Sequence, residues 1–431
     1  MVKKKLIAWA VLLITALGAG GMAVAAGTAL NLEKSIELAL KNNRAVKIAE
    51  TEQEAAAGRL RELRAEKLPV INLTHSGSRL KPNPSEPAFQ LLGVDPPVTD
   101  YFENKLTASL PLYTGGQLEG YIQQAELGVK NAGLNVTRIK QQVKLDATVA
   151  YYNLLQAKSL VKLSEETVER LAAHLKNVQA RFNAELITKN DVLRSEVELA
   201  DAEQSLIKAR NGYDLALANL NYVMGIPLGT EIAVEENLSH GQWNQTLNAS
   251  IEQALQKRPE VAQYDINYEV AKRGVAVAQG GYLPTVSLVG AVDRNDADFP
   301  GNDNGNWSVS LVASWDLYNS GRTKSRIDQA KASQDKARQA SLQAREAIGL
   351  EVRQAYLNVN EAEQRIHASE LALDKANEDY QLVRARYRAG LGTNLDVIDT
   401  QLALTLAKTN HINALYDYNI SLAKLQKAMG M

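Results

Sequence analysis

The sequence predicts a mainly α-helical fold that consists of two structural repeats. Four β-strands per chain are expected to contribute to a membrane β-barrel. Three observations lead to this prediction. The phrase "RFNAELITKNDVL" from Arg181 recurs in similar form as "RYRAGLGTNLDVI" from Arg386. Long stretches without proline, residues 117–186 and 322–391, indicate very long helices. Each half of the chain also holds two short segments in which apolar and polar residues alternate, which is typical of strands.

An internal duplication defines the domain organisation. "SIELALKNNRAVKIAE" from Ser35 matches "SIEQALQKRPEVAQYD" from Ser250, and equivalent residues beyond the strands are 205 positions apart. Self-similarity at a fixed spacing indicates a repeated structural unit. We therefore expect a first repeat at 27–225, an inter-repeat segment at 226–247 and a second repeat at 248–431.

Period-two patterns predict two strands in each repeat, at about 69–80 and 103–113 and at about 284–293 and 306–318. In the last of these, Trp307, Val309 and Leu311 alternate with Ser308 and Ser310. The strand lengths fit those of tilted strands that cross a bilayer. The alternative is a soluble sheet packed on the helices.

Long helices are predicted at 117–186 and 189–224 and again at 322–391 and 394–429. The longest would extend roughly 105 Å at the rise of an α-helix. Apolar residues near its end step by three and four positions, as in a coiled coil: Val168, Leu171, Leu175, Val178 and Phe182. A globular domain does not need such a length, so we expect these helices to cross a distance.

Composition and missing motifs exclude several classes of function. The net charge of -1 gives no basic excess, so no nucleic-acid partner is expected. The five histidines are scattered without metal-ligand spacing, and phosphate-binding loops and nucleophile elbows are absent. We therefore expect neither an enzyme nor a bound cofactor or metal.

Residues 1–26 combine "MVKKK", an apolar stretch and "AVAAG", which predicts a signal peptide. An N-terminal membrane anchor is the alternative.

Four antiparallel strands with one apolar face cannot close into a barrel by themselves. Single-chain membrane barrels begin at eight strands, and an open sheet edge in lipid costs several kcal/mol for each unpaired group. Closure therefore requires several chains. Two chains would supply eight strands, and three chains would supply twelve.

The order of helix, strand, strand, long helix and helix, written twice, resembles the TolC family of outer membrane efflux proteins. The two recurring phrases and the "LP" at Leu68 and Leu283 carry the resemblance, which covers nearly all of the chain after residue 26. It implies a homotrimer with a twelve-stranded barrel in outer membrane lipid and a long α-helical barrel across the periplasm, with residues 226–247 in an equatorial belt.

The same resemblance implies a passive exit duct for efflux or type I secretion. Its partners would be a periplasmic adaptor and an inner-membrane transporter. The alternative is a secreted coiled-coil scaffold that binds partners and forms no pore.

The repeated phrases are the candidate site. Thr188 with Asp191, and Thr393 with Asp396, fit the capping box that starts a helix. The resemblance adds three roles: a pore constriction, a gate network and adaptor-docking tips. The corresponding residues are Asp396 and Asp399; Asp191 and Tyr387; and Arg181, Leu186, Thr188, Arg386, Leu391 and Thr393.

Two carboxylates from each chain at the constriction would favour cations. Capping alone remains an alternative for Asp191, and a solvated helix face for Asp399.

Two positions depart from the family pattern. Glu185 stands where glycine is usual, and Gly392 stands where a gating arginine would be, which leaves Arg388 as a substitute.

Overall fold

A computed structural model describes residues 30–81, 91, 93–94, 97–235 and 243–431. The predicted signal peptide at 1–26 lies outside the described residues. Part of the loop that follows the first strand and residues 236–242 of the inter-repeat segment also lie outside them.

Both repeats have the same order of elements, and their strands and helices differ mainly in length. The first contains α1 (Leu32–Asn42), α2 (Arg44–Ala65), β1 (Val70–Leu80), β2 (Thr99–Thr114), α3 (Gln117–Asn183) and α4 (Lys189–Met224). The second contains α5 (Leu247–Lys257), α6 (Pro259–Gln279), β3 (Thr285–Asp296), β4 (Asn304–Ser314), α7 (Arg322–Arg388) and α8 (Asn394–Ala428). The mainly α-helical fold with four antiparallel strands is confirmed.

The longest helices, α3 and α7, each contain 67 residues. That corresponds to about 100 Å along the axis. Each follows a glycine in the left-handed region, Gly116 at φ 77° and Gly321 at φ 82°, which lets the chain turn from strand to helix. Among the described residues, no helix combines the length and the apolar character needed to cross a membrane.

The long helices end earlier than predicted. We expected them to reach residues 186 and 391, but α3 ends at Asn183 and α7 at Arg388. Left-handed residues, Glu185 at φ 57° and Gly390 at φ 77°, follow each end. The backbone N–H of the next residue then bonds back five positions, at 3.0 Å in the first repeat and 2.9 Å in the second. This Schellman-type closure stops a helix.

The four strands form one antiparallel sheet in the order β1-β2-β3-β4, so the two repeats pair through β2 and β3. The last strand ends at Ser314, and the prediction that it runs to 318 was wrong. Ser314 pairs with Thr285, the first residue of β3. Pro284 precedes it and has no N–H to donate, so the ladder has no partner beyond this point.

One face of the sheet is apolar in register across all four strands. Leu73, Leu106, Val292 and Trp307 form one cross-strand row. Leu110, Leu288 and Leu311 belong to another row. The opposite face carries rows such as Thr74, Lys105, Asp293 and Asn306. The apolar face is not covered by the helices, since Trp307 is 74% exposed.

Among the residues that the structure describes, the helical part contains three apolar clusters. Two lie where the short helices pack on the long ones, around Tyr151 in the first repeat and around Tyr418 in the second. The Tyr151 hydroxyl donates to the Glu235 carbonyl at 2.7 Å and so ties the described part of the inter-repeat segment to α3. The third, which we call the tip cluster, joins both repeats at the far end and comprises Val178, Val192, Tyr380, Tyr387, Val397 and Leu404.

Candidate functional site at the helix tips

Two helix–turn–helix tips form the candidate site. The first tip comprises residues 184–188 between α3 and α4, and the second tip comprises residues 389–393 between α7 and α8. These are the positions of the repeated phrases. The tip cluster packs the two helix pairs against each other beside the turns, so residues about 200 positions apart in sequence meet here.

The capping prediction is confirmed at both tips. Thr393 N–H donates to Asp396 Oδ2 at 2.9 Å, and Asp396 N–H donates to Thr393 Oγ1 at 3.1 Å. In the first tip, the N–H and the hydroxyl of Thr188 both donate to Asp191 Oδ2, at 3.2 and 2.8 Å. Hydrogen bonds from the Thr393 backbone and side chain lower the pKa of Asp396, with a smaller effect of Arg386. Asp396 is therefore a carboxylate at neutral pH.

Tyr387 lies at the centre of the contact between the repeats. It is 5% exposed, and the Arg181 guanidinium lies over its ring with Cζ 4.5 Å from the centroid. Arg181 Nη2 also donates to the carbonyl of Arg388 at 3.0 Å. Arg181, which we expected on the docking surface, thus bridges α3 to the end of α7. The buried Tyr387 hydroxyl makes no hydrogen bond among the described residues.

A buried polar network lies beside this contact and centres on Asn394. Asn394 Nδ2 donates to the carbonyl of Asp191 at 3.0 Å and to Ser195 Oγ at 3.2 Å. Its Oδ1 lies 2.7 Å from Nε2 of His174. Because the amide nitrogen is used as a donor, Oδ1 is the acceptor and His174 Nε2 carries the proton. Asn394 is 4% exposed, so three helices share one interior side chain.

The surroundings of His174 favour the neutral form of its ring over the protonated form. Burial lowers its pKa, and the positive charges of Arg384 and Arg181 lower it further, while the hydrogen bond to Asn394 acts in the opposite direction. Its ring also packs on Tyr387, with 5.4 Å between the ring centroids. The side chain therefore connects the Asn394 network to the tip cluster.

The structure separates the predicted site residues into two groups. Arg181, Asp191 and Tyr387 lie together, since the Asp191 charge is close enough to Tyr387 to raise the pKa of its hydroxyl alongside the larger effect of burial. The others are exposed at the tips, on the last turn of α7 or on α8. Leu186 and Leu391 are 72% and 71% exposed, and Thr188, Arg386, Thr393, Asp396 and Asp399 are exposed as well. Asp399 makes no hydrogen bond or ion pair with any residue the structure describes.

Sequence reasoning missed His174, Ser195 and Asn394. A lone histidine and two small polar residues match no motif, and their contacts span up to 220 positions. One signal was available. Asn394 is equivalent to Lys189 in the first repeat, so a short amide replaces a long cation at the start of an otherwise similar helix. No three His, Asp or Glu side chains in the described part of the chain are placed to hold a metal ion.

The sequence matches the family described as outer membrane efflux protein over residues 35–226 and 250–431. The outer membrane protein TolC of Escherichia coli is 24% identical over 322 residues, which cover 72% of this chain. That alignment spans 65% of the length of the Escherichia coli protein. TolC of Vibrio cholerae is also 24% identical, over 93% of this chain and 90% of the relative.

Solved structures share the fold. The Campylobacter jejuni CmeC outer membrane channel superposes with a TM-score of 0.82 at 18% identity, covering 93% of this chain and 85% of that one. The Vibrio cholerae outer membrane protein VceC gives a TM-score of 0.77 at 17% identity, covering 93% and 96%. The long helices, the sheet and the paired tips therefore form an architecture that these proteins have in common.

Proposed function

Because the chain belongs to the outer membrane efflux protein family, we propose that it is a trimeric exit duct for substrates that leave the cell through the outer membrane. The sheet is the observation that carries this proposal. It presents an in-register apolar face to the outside and ends in two strands, β1 and β4, that pair on one side only within the described chain.

Both features need other copies of the chain. An exposed apolar face suits contact with lipid, and unpaired strand edges in lipid are too costly to persist. Pairing β4 of one copy with β1 of the next would remove every edge. Three copies supply twelve strands, and the family relation favours three.

Aromatic side chains cluster where the strands meet the helices, which supports a membrane position. Tyr113, Tyr282, Trp315 and Tyr318 are 43%, 50%, 60% and 87% exposed. Trp315 Nε1 donates to the Tyr282 carbonyl at 2.9 Å, so two of them are tied together. Exposed Trp and Tyr at the ends of an apolar band are typical of the boundary between lipid and water.

The long helices extend from this band toward the tips and would form a tunnel across the periplasm. Their length, about 100 Å, exceeds what packing a compact domain requires. A passive duct needs a partner that supplies energy. The proposed partners are a periplasmic adaptor, which would meet the exposed Leu186 and Leu391 at the tips, and an inner-membrane transporter behind it.

The tips would contain the gate. Asp396 and Asp399 are both exposed on the first turns of α8, three positions apart and hence on one helix face. In a trimer they would place two carboxylates per chain around the entrance and would favour cations. Asp191 and Tyr387 would hold the entrance closed through the tip packing. With no arginine at Gly392, Arg181 would take the bridging role that we expected for Arg388, because it contacts Tyr387 and the carbonyl of Arg388.

Membrane fractionation with a salt wash tests the duct itself. We expect the chain to remain in the outer membrane fraction and to migrate as a trimer after mild detergent extraction. A protein released by salt as a soluble monomer would instead support a secreted scaffold.

Ion selectivity in planar bilayers tests the gate. The double variant Asp396→Asn, Asp399→Asn should shift the reversal potential in a salt gradient toward that of a non-selective pore. The double variant Asp328→Asn, Asp335→Asn on α7 also removes two negative charges, from exposed positions far from the tips, and serves as the control. Unchanged selectivity in the double variant would remove the two aspartates from the proposed constriction.

A further inference from the structure

A groove of about 750 Å³ lies between α3 and α7 next to the tip cluster. Its walls extend from Glu166 to Arg181 on one helix and from Tyr380 to Arg388 on the other. Neither the capping of the tips nor the proposed carboxylate constriction uses this groove.

Three arginines meet at the end of the groove that is closest to the tips. Arg384 and Arg388 are four positions apart, so they lie on the same face of α7 with Cβ atoms about 6 Å apart. Arg181 reaches them from α3 and is fixed by its bonds to the Arg388 carbonyl and the Tyr387 ring. One of the three guanidinium groups is therefore already held in place before any ligand arrives.

Among the residues that the structure describes, none of the three arginines forms an ion pair, although Arg170 further along the groove pairs with Glu166 at 3.4 Å. The acidic residues of the groove, Glu166 and Glu169, lie at the opposite end. Glu169 is 12 positions from Arg181 along α3, a distance of about 18 Å.

The positive field in the groove acts on its interior. Arg384 and Arg181 both depress the pKa of His174, in addition to the larger effect of burial. Like charges four positions apart on a helix also destabilise it slightly. The end of the groove closest to the tips thus carries positive charge that has no ion-pair partner among the described residues. It lies beside buried side chains, where water screens charge less than at an open surface.

We propose that this end of the groove is a binding site for a small multivalent oxyanion that carries phosphate or carboxylate groups. Guanidinium groups present paired N–H donors that match such oxygens, and an anion held between Arg181 and the two α7 arginines would bridge the helices. Binding there would strengthen the packing of the two repeats at the tips. All three arginines belong to one chain, so binding at this site does not require the trimer of the proposed duct.

Calorimetric titration of the detergent-purified full chain with inorganic pyrophosphate tests the proposal, with citrate as a carboxylate probe and chloride as a monovalent comparison. We expect saturable binding of the multivalent anions that weakens as sodium chloride is raised. Arg384→Gln and Arg388→Gln should each weaken binding roughly tenfold, as expected for the loss of one charge-assisted contact.

The control is Arg353→Gln, which removes the same charge from an exposed position of α7 outside the groove. It should bind pyrophosphate like the wild type. Arg384→Lys keeps the charge without the paired donors and should give an intermediate affinity, which separates direct contact from a general field. Absence of saturable binding by the wild type, or equal weakening in Arg353→Gln, would overturn the proposal.

Discussion

The two tips have similar sequences and the same caps, yet they are held in different ways. In the first tip, Lys189 lies 5.7 Å from the ring of Phe182, so this cation and ring come from the same repeat. In the second, the equivalent ring is Tyr387, and the cation over it is Arg181 from the other repeat. The duplication retained the local signals that end and start helices. Two of the side chains that join the repeats, Asn394 and His174, come from positions that diverged, since their equivalents are Lys189 and Asp379.

The largest loss of stability at the tips is expected for substitution of Tyr387. Tyr387→Ala removes a buried ring that packs on His174 and Arg181, and we expect the tip packing to lose about 3 kcal/mol or more. Hydrogen–deuterium exchange of peptides from both tips should show faster opening, with no change in the strands.

Tyr387→Phe is the matched control, because the hydroxyl makes no hydrogen bond with the residues that the structure describes. It should leave exchange at the tips unchanged. If Tyr387→Phe opened the tips as much as Tyr387→Ala, the hydroxyl would hold them together, and packing of the ring would not.

The second largest loss of stability at the tips is expected for substitution of Asn394. Asn394→Ala leaves the donors and acceptors of His174, Ser195 and Asp191 without their partner in a buried position, which should cost about 2 kcal/mol. Lys189→Ala at the equivalent position of the first repeat should change the tip by a few tenths of a kcal/mol at most, because that side chain is exposed. If the two variants increased hydrogen–deuterium exchange at the tips equally, Asn394 and Lys189 would contribute equally to tip stability, which would contradict this prediction.

Substitutions at the two left-handed positions should have smaller effects on stability, of opposite sign at the two tips. Glu185 adopts φ 57° where Gly390 has φ 77°, and a side chain is unfavourable in this region. Glu185→Gly should therefore stabilise the first tip, and Gly390→Ala should destabilise the second, each by about 1 kcal/mol. Thermal melting of the two variants checks the signs, and a destabilising Glu185→Gly would mean that the Glu185 side chain makes a contact worth more than the backbone strain.

The smallest expected effect is a dependence on pH. Burial depresses the pKa of His174 in the folded state, with Arg384 and Arg181 adding to it, so the unfolded state binds the proton more readily. The packing contributed by His174 is then complete above the unfolded pKa of about 6.5 and weakens as the pH falls below it. After correction for the intrinsic slowing of amide exchange at lower pH, the tips should open more often in mildly acidic buffer than at neutral pH, and His174→Gln should remove that change. Identical pH profiles for the two proteins would contradict the prediction.

Much of the fold could be predicted from the sequence because it depends on local and periodic signals. The duplication, the alternation in the strands and the capping residues Thr188, Asp191, Thr393 and Asp396 are each readable within a short window. The errors were also local. The end of β4 depends on where its neighbour begins, which is fixed by Pro284, and the helix ends depend on left-handed residues at 185 and 390.

The interior of the candidate site could not be predicted in the same way. Arg181 was assigned to a docking surface by its place in a motif, and only the three-dimensional packing shows that it lies over Tyr387. The partners of Asn394 come from α3 and α4, about 200 positions away. Side chains that meet at such separations leave no spacing pattern in a single sequence.

The measurement that tests the proposed exit duct most directly is the conductance of the purified trimer in planar lipid bilayers, compared with that of Tyr387→Ala. We expect discrete, cation-selective steps, which should be larger or more frequent in Tyr387→Ala because its tip packing is weakened. If the wild type did not conduct but Tyr387→Ala did, the wild-type gate would be closed. If intact trimers of both proteins failed to conduct, the chain would not be an exit duct.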